Sequence, residues 1–476
     1  MVVIQQLRKL IIICLTLIIS TSLKAQKYEP TWESIDKRPV PEWFKDAKFG
    51  IFIHWGVYSV PAWRKVTSGL YASYAEWYYA RVIGDEKNGG ADFHNRNFGK
   101  DFEYRQFGPM FKAELFEPDS WADIFARSGA KYVVLTSKHH DGYCLWPTKS
   151  PYKKDWNSMT VGPKRDLLGE LTEAVRKKGL KMGLYYSIIE WETNKTQRTE
   201  SGYFIEKKLV EKYGIPKDKY IDDHMIPQLK ELVEKYQPSV IFSDAGEWDK
   251  TAQEWKTIDF LAWLYNYAPN KNELVVNDRF GKDMPGKHGD YFSSEYNDTD
   301  AVGIAHAWEE SRGIGGSYGF NRDENIDDYN TSEELVHELI DIVSRGGNLL
   351  LNVGPTSDGR IPVIMQQRLI DIGEWLSVNS ESIFGTRPWI RSKEKDSEIF
   401  YTKKKNALYV ICKEWPEKGL TIDDPEASNI NGVSLLGSSI MFNHNINGNI
   451  ISIESPEINP GNMPCNYAWV FKISYK

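Results

Sequence analysis

Val240-Ile241-Phe242-Ser243-Asp244-Ala245-Gly246-Glu247-Trp248 is the stretch whose reading decides the fold. It begins as an apolar run without polar alternation, the pattern of a strand buried on both faces, and ends abruptly in acid, glycine and tryptophan. The same signature recurs on both sides of it. Upstream are Phe49-Gly50-Ile51-Phe52-Ile53, Tyr132-Val133-Val134-Leu135-Thr136 and Met182-Gly183-Leu184-Tyr185-Tyr186. Downstream are Leu274-Val275-Val276-Asn277, Tyr291-Phe292-Ser293, Ala305-His306-Ala307-Trp308 and Leu349-Leu350-Leu351-Asn352-Val353. Helical periods separate them, such as Trp121, Ile124 and Phe125; Ile226, Leu229, Val233 and Tyr236; and Leu335, Leu339, Ile342 and Val343. Thr331 and Glu334 form a capping box for the last of these.

Eight buried strands joined by helices predict an α/β fold, a (β/α)8-like barrel. The repeat is irregular around strands five and six, where too little chain separates the strands for a full helical crossover. The insertion from Pro61 to Glu117, rich in aromatic, Gly and Asn residues, is expected over the C-terminal mouth. After Gly385-Thr386-Arg387-Pro388 the pattern changes to short alternating runs, with Asn431-Gly432 and Asn447-Gly448 as hairpin turns. The expected organisation is a signal peptide at 1–25, a catalytic barrel at 26–385 and a small C-terminal antiparallel β-sandwich at 386–476.

A chain of 476 residues has ample apolar content for two cores. Its net charge of −7 comes without any long basic run, which argues against nucleic acid as a partner. Arg8 and Lys9 precede an apolar stretch from Leu10 to Ile19, and Leu23-Lys24-Ala25 closes a signal-peptide pattern, so cleavage is expected near Ala25. That stretch is about half the ~20 residues of a membrane span. The protein is therefore expected to be exported, periplasmic or extracellular, with no membrane span after cleavage. Cys144, Cys412 and Cys465 then remain, too far apart in sequence for a disulfide framework.

Reactive groups of such barrels sit where strands end, at the C-terminal face. Those ends carry His54-Trp55, Lys138-His139-His140-Asp141, Tyr185-Tyr186-Ser187, Asp244 to Trp248, Asn277-Asp278-Arg279, Ser293-Ser294-Glu295, Trp308-Glu309 and Asn352. Two carboxyl groups across one small barrel suit retaining glycoside hydrolysis, one as nucleophile and one as acid/base. Trp55, Trp77 and Tyr185 offer flat apolar surface for a sugar. A second reading is a metal-dependent barrel hydrolase using His54, His139 and His140. Adjacent histidines in an extended strand point to opposite faces, which disfavours that reading unless the strand end is bulged. A third reading is a non-catalytic glycan-binding protein.

These strand ends, in this order, resemble those of the glycoside hydrolase family 29 α-L-fucosidases, from about Pro41 to Pro388. The resemblance is carried by Lys48 to Gly56, His139-His140-Asp141-Gly142, Gly183 to Ser187, Asn277-Asp278-Arg279, Arg312-Gly313-Ile314-Gly315, Tyr318-Gly319-Phe320-Asn321 and Gly346 to Pro355. It implies a retaining, exo-acting α-L-fucosidase that needs no cofactor and takes a fucosylated oligosaccharide or glycoconjugate as its partner. Asp244 matches the nucleophile and Glu295 the acid/base, with Glu247, Glu309 and Glu310 as the nearest alternative carboxyl groups. His54, Glu76, Trp77, His139, His140, Tyr185 and Arg279 match fucose-contacting positions, and Trp308 is added as a strand-end aromatic. Phe242 stands where some relatives carry tryptophan. Asn297-Asp298-Thr299 is a glycosylation sequon beside Glu295.

Overall fold

The computed structural model describes residues 27–69, 71–194, 205–296, 306–440, 442–455 and 458–476. The signal-peptide segment and the Asn297 sequon lie outside them. Strand β1 spans Phe49–Ile53, β2 Tyr132–Lys138, β3 Lys181–Ser187, β4 Val240–Asp244, β5 Val275–Val276, β6 Phe292–Glu295, β7 Trp308–Gly313 and β8 Asn348–Val353. All pair in parallel, in the order β5-β4-β3-β2-β1-β8-β7-β6. Among the described residues the helices of ten residues or more are α1 (Pro118–Arg127), α2 (Leu167–Lys177), α3 (Ile226–Tyr236), α4 (Thr257–Tyr267), α5 (Ser332–Ser344) and α6 (Val363–Asn379). Helix α5 starts at the expected capping box of Thr331 and Glu334.

Strand parity divides the core in two. Phe49, Ile51, Ile53, Val133, Leu135, Leu184, Ile241, Leu349 and Leu351 face the helices and join the large core. Phe52, Tyr132, Val134, Tyr185, Val240, Phe242, Val275, Tyr291 and Leu350 fill the interior. Both faces are apolar, which is why the sequence shows unbroken hydrophobic runs. Gly50 is required on the inner face: a Cβ there would stand 2.4 Å from the Tyr132 ring. The same parity carries His54, Asp244 and Asn352 inward at the C-terminal edge, two residues beyond Phe52, Phe242 and Leu350.

The barrel is open between β5 and β6, the place where the sequence repeat is irregular. Among the described residues no β-ladder joins these strands, and no helix lies between Asn277 and Tyr291. Side chains, together with backbone bonds from Asp290 N–H (2.9 Å) and Tyr291 N–H (3.3 Å) to the Val276 carbonyl, substitute for the ladder. Asp290 Oδ2 accepts from Val276 N–H (2.9 Å) and from the Tyr265 hydroxyl (3.0 Å), while its Oδ1 takes Arg38 Nη1 at 2.6 Å. Higher up, Asp278 Oδ1 accepts from Ser293 N–H (2.9 Å) and Ser293 Oγ (2.8 Å).

The C-terminal region holds two antiparallel sheets. Strands β9 (Ile399–Lys404), β10 (Ala407–Cys412), β12 (Ile430–Leu435) and β15 (Trp469–Tyr475) form one, in the order β12-β15-β10-β9. The other has β11 (Leu420–Asp423), β14 (Ile450–Ile453) and β13 (His444–Asn447), in the order β11-β14-β13. Along β10, Leu408, Val410 and Cys412 enter the core between the sheets, while Ala407, Tyr409 and Ile411 join the core of the parallel-sheet region. Trp375 of α6 donates to the Ala468 carbonyl at 2.9 Å, adding a polar tie to this contact. Gly448 turns the β13–β14 hairpin as expected, with φ 61°. Asn431-Gly432 is no turn: it lies inside β12, where the register to β15 shifts between Ile430 and Gly432.

The seam makes a test of the fold. Asp290→Ala would leave the Arg38 guanidinium, whose side chain is 6% exposed, without its carboxylate. We expect a loss of about 3–5 kcal/mol in chemical denaturation, the usual result of orphaning a buried charge. A loss below about 1 kcal/mol, within the range of exposed pairs, would show that the seam is held by other contacts.

Candidate active site

The C-terminal edge of the parallel sheet opens into a cavity of 440 Å³. Asp244, the last residue of β4, reaches it by strand parity. Its Oδ2 accepts from the Tyr185 hydroxyl (2.7 Å), and its Oδ1 from the Ala245 N–H (2.9 Å) and Arg279 Nη1 (3.4 Å). Ala245 takes a left-handed φ of 63°, which turns the chain sharply off the strand. His140 Nε2 stands 3.5 Å from Asp244 Oδ2.

Glu295 ends β6. Its Oε1 accepts from the Tyr74 hydroxyl (2.7 Å) and its Oε2 from Arg279 Nη1 (3.5 Å). One guanidinium nitrogen thus touches both carboxyl groups. By that geometry the Asp244 and Glu295 oxygens lie within about 7 Å of each other, below most of the ~6.5–9.5 Å range of inverting pairs. Burial raises the pKa of the Glu295 carboxyl above its ordinary range, against the opposing pull of Arg279 and the Tyr74 hydrogen bond. Burial disfavours the charge of Arg279, yet Glu247, Asp244 and Glu295 together hold it protonated. Arg279 Nε also donates to Ser293 Oγ at 2.9 Å, so the same side chain ties the loop after β5 to β6.

The histidines line the opposite wall. Asn352 donates to the Tyr318 carbonyl (2.7 Å), so its oxygen faces His54 Nδ1 at 2.7 Å and takes the proton there. The His54 Nε2 is left as an acceptor, and burial lowers the ring's pKa to about 4. Ser187 donates to the Ile189 carbonyl and thereby accepts from His140 Nδ1, both at 2.6 Å. His139 and His140 both line the cavity, their ring centroids 4.2 Å apart. The register between β2 and β3 shifts between Thr136 and Lys138, and this bulge undoes the strict alternation expected of adjacent histidines. Among the described residues no group of three His, Cys, Asp or Glu side chains is arranged to hold a metal ion.

The Pro61–Glu117 insertion closes the cavity as expected, through Tyr71, Tyr74, Glu76, Trp77 and Arg81. Glu76 Oε2 accepts from the Gly319 N–H (2.9 Å), and burial raises this carboxyl to about 8. Trp77 lies 5.3 Å from His140 and 5.9 Å from the exposed Trp248.

His54, Glu76, Trp77, His139, His140, Tyr185, Asp244, Arg279 and Glu295 are therefore brought to one cavity. Trp308 is not. It is the first residue of β7, at the opposite end of the sheet, packed under Arg345 at 5.2 Å. The strand runs on from Trp308 to Gly313, so its mouth-side residue is Ser311; the polar letters of Glu309-Glu310-Ser311 disguised a strand as a loop. Trp55 is likewise core, donating to the Thr356 carbonyl (2.8 Å) among Phe111, Phe116 and Trp121. Of the alternative carboxyl groups, Glu247 lines the cavity, with its pKa raised to about 8 by burial and then by the Asp244 charge. Glu309 faces the barrel interior and binds the Tyr132 hydroxyl, and Glu310 pairs with Arg312 at 2.7 Å. Sequence patterns do not mark Tyr74 or Tyr318 by themselves; Tyr318 opens the Tyr318-Gly319-Phe320-Asn321 motif, whereas Tyr74 carries no signal beyond lying two residues before Glu76.

The alpha-L-fucosidase family model matches residues 15–381, and the model of the alpha-L-fucosidase C-terminal domain matches 393–474. The tissue alpha-L-fucosidase of Bos taurus is 41% identical over 452 residues, covering 94% of this chain and 91% of that protein. A Thermotoga maritima alpha-fucosidase in complex with a mechanism-based inhibitor superposes with a TM-score of 0.80 at 36% identity, over 94% of this chain and 100% of that one. The same enzyme in complex with fucose gives 0.79 over the same coverage.

Glu76 supplies a test of the electrostatics. Its carboxyl is raised from 4.5 to about 8 in the fold, so its contribution to stability is greatest below pH 4.5 and is lost as pH rises through 8. Relative to Glu76→Gln, the wild type should lose about 3 kcal/mol between pH 4.5 and 7 in denaturation experiments. Parallel stability profiles would show that Glu76 titrates normally.

Proposed function

We propose that this chain, which belongs to the α-L-fucosidase family and is a glycoside hydrolase, releases terminal α-L-fucosyl residues from glycans by double displacement with retention of configuration. The observation that carries this reading is the single contact of Arg279 with both carboxyl groups, which favours the short spacing of a retaining pair.

In the proposed first step Asp244 attacks the anomeric carbon while Glu295 protonates the departing glycosidic oxygen, giving a covalent fucosyl-enzyme. In the second, Glu295 takes a proton from water, whose oxygen displaces Asp244 from the same carbon. Two inversions give net retention. The neutral His54 Nε2 can accept from a sugar hydroxyl, the raised Glu76 carboxyl can donate to one, and Trp77 offers an apolar face. Glu295 is preferred to Glu247 because it shares Arg279 with the nucleophile and keeps a defined hydrogen bond on each oxygen, whereas Glu247 Oε2 has no partner.

Two further readings accompany this one. The Arg8-Lys9 cluster and following apolar stretch support export, with the mature chain starting at Gln26 on N-terminal sequencing; recovery of a chain starting at Met1 would refute this. The sheet β12-β15-β10-β9 supports a buttressing role for the C-terminal region, because one face of it is part of the main core.

Proton NMR of an aryl α-L-fucoside digest should show α-L-fucose appearing before the β anomer; β first would mean inversion. Glu295→Ala should lose about 10²–10⁴-fold on a substrate with a poor leaving group. Azide should restore turnover of a substrate with a good leaving group, and rescue of Glu247→Ala instead would assign the acid/base to Glu247.

A further inference from the structure

We propose that Tyr74 is the positioning residue of the acid/base: its hydroxyl holds Glu295 Oε1, so that Oε2 is the oxygen that carries and transfers the proton. This rests on the reading of Glu295 as acid/base.

Glu295 has little backbone support. It is the last residue of a four-residue edge strand whose one ladder partner among the described residues is β7. The next residue, Tyr296, has a left-handed φ of 50°. Two tyrosines of the insertion grip Glu295 from outside the sheet. Tyr71 Oη donates to its backbone carbonyl at 2.9 Å, and Tyr74 Oη to its Oε1 at 2.7 Å. Tyr74 is buried, and its ring packs 5.2 Å from Tyr318 and 5.6 Å from Tyr71. Burial also pushes its phenol far above the usual range, so the hydroxyl keeps its proton and acts as a donor.

Oε1 accepts a 2.7 Å bond, whereas Oε2 has only the 3.5 Å contact with Arg279 Nη1, so Oε1 is the poorer site for the carboxylic proton. The proton is therefore directed to Oε2, which faces Arg279 Nη1 and, across it, Asp244. That is the side on which a glycosidic oxygen must lie if Asp244 is to reach the anomeric carbon. When Oε2–H is given to the leaving oxygen, the electrons of the broken C–O bond go with that oxygen and Glu295 becomes a carboxylate. The Tyr74 proton stays on its own oxygen and now stabilises the anion. In the second step water returns a proton to Oε2.

The charged and titratable groups facing Glu295 are Arg279 after β5, Asp244 on β4, Tyr71, Tyr74 and Glu76 on the insertion, and Tyr318 after β7, with Tyr296 adjacent in sequence. Of these, Arg279 and Tyr74 oppose the rise caused by burial. Tyr74→Phe removes one donor to the ionised form, so the acid should keep its proton to higher pH.

The test uses the full chain as Tyr74→Phe, Glu295→Gln and the double variant, with kcat/KM measured against pH on a fucoside with a poor leaving group. Tyr74→Phe should move the alkaline limb up by about one pH unit, the size of a hydrogen bond to a charged group. It should also lower kcat more than KM on a good-leaving-group substrate, where the water step limits. Adding Tyr74→Phe to Glu295→Gln should change nothing further. An unmoved limb, or an equal loss in both backgrounds, overturns the role of Tyr74 while leaving Glu295 in place. A wild-type limb in Glu295→Gln would instead remove Glu295 as acid/base, and this proposal with it.

Discussion

The Arg279 guanidinium holds together two things that are each incomplete without it. Among the described residues the parallel sheet lacks a ladder between β5 and β6, and Asp244 and Glu295, two of the carboxyl groups lining the cavity, lie on strands either side of that gap. Through Nε the side chain binds Ser293, and through Nη1 both Asp244 and Glu295. Placing a cation this deep is unfavourable alone, and the surrounding acids make it stable. The gap therefore becomes the place where two carboxyl groups and a cation are packed side by side.

Below this point the same gap is closed by Asp290, and the division of labour is informative. Asp290 completes backbone and tyrosine hydrogen bonds and neutralises Arg38, a wholly structural task. Asp278, one step nearer the mouth, positions Ser293 and so Arg279. The seam thus runs from architecture at its base to chemistry at its rim, with no change in the kind of interaction used.

Much of this was legible in the sequence because strand parity is strict. Once Val240-Ile241-Phe242 is read as a strand, Asp244 must share a face with Phe242, and His54 with Phe52. The shortage of chain after Asn277 also marked where the barrel would be irregular. What failed did so for identifiable reasons. Trp308 reads as a strand-end residue because Glu309, Glu310 and Ser311 look like a loop, whereas Glu309 binds Tyr132 inside the barrel, Glu310 pairs with Arg312 and Ser311 meets Tyr318. Asn431-Gly432 has hairpin letters but sits at a bulge, where an extra residue is also accommodated. Tyr74 was invisible because its role depends on a contact across 221 residues, between an insertion and an edge strand, and no local pattern encodes it.

The central claim is that Asp244 forms the bond to the sugar while Arg279 keeps it paired with Glu295. Its most direct test is to incubate the protein with a 2-deoxy-2-fluoro-α-L-fucosyl substrate bearing a good leaving group, digest it, and locate the added mass by tandem mass spectrometry. A single fluorofucosyl adduct on Asp244 is the predicted result. An adduct on Glu247 or Glu295, or turnover at full rate with none, would contradict the account.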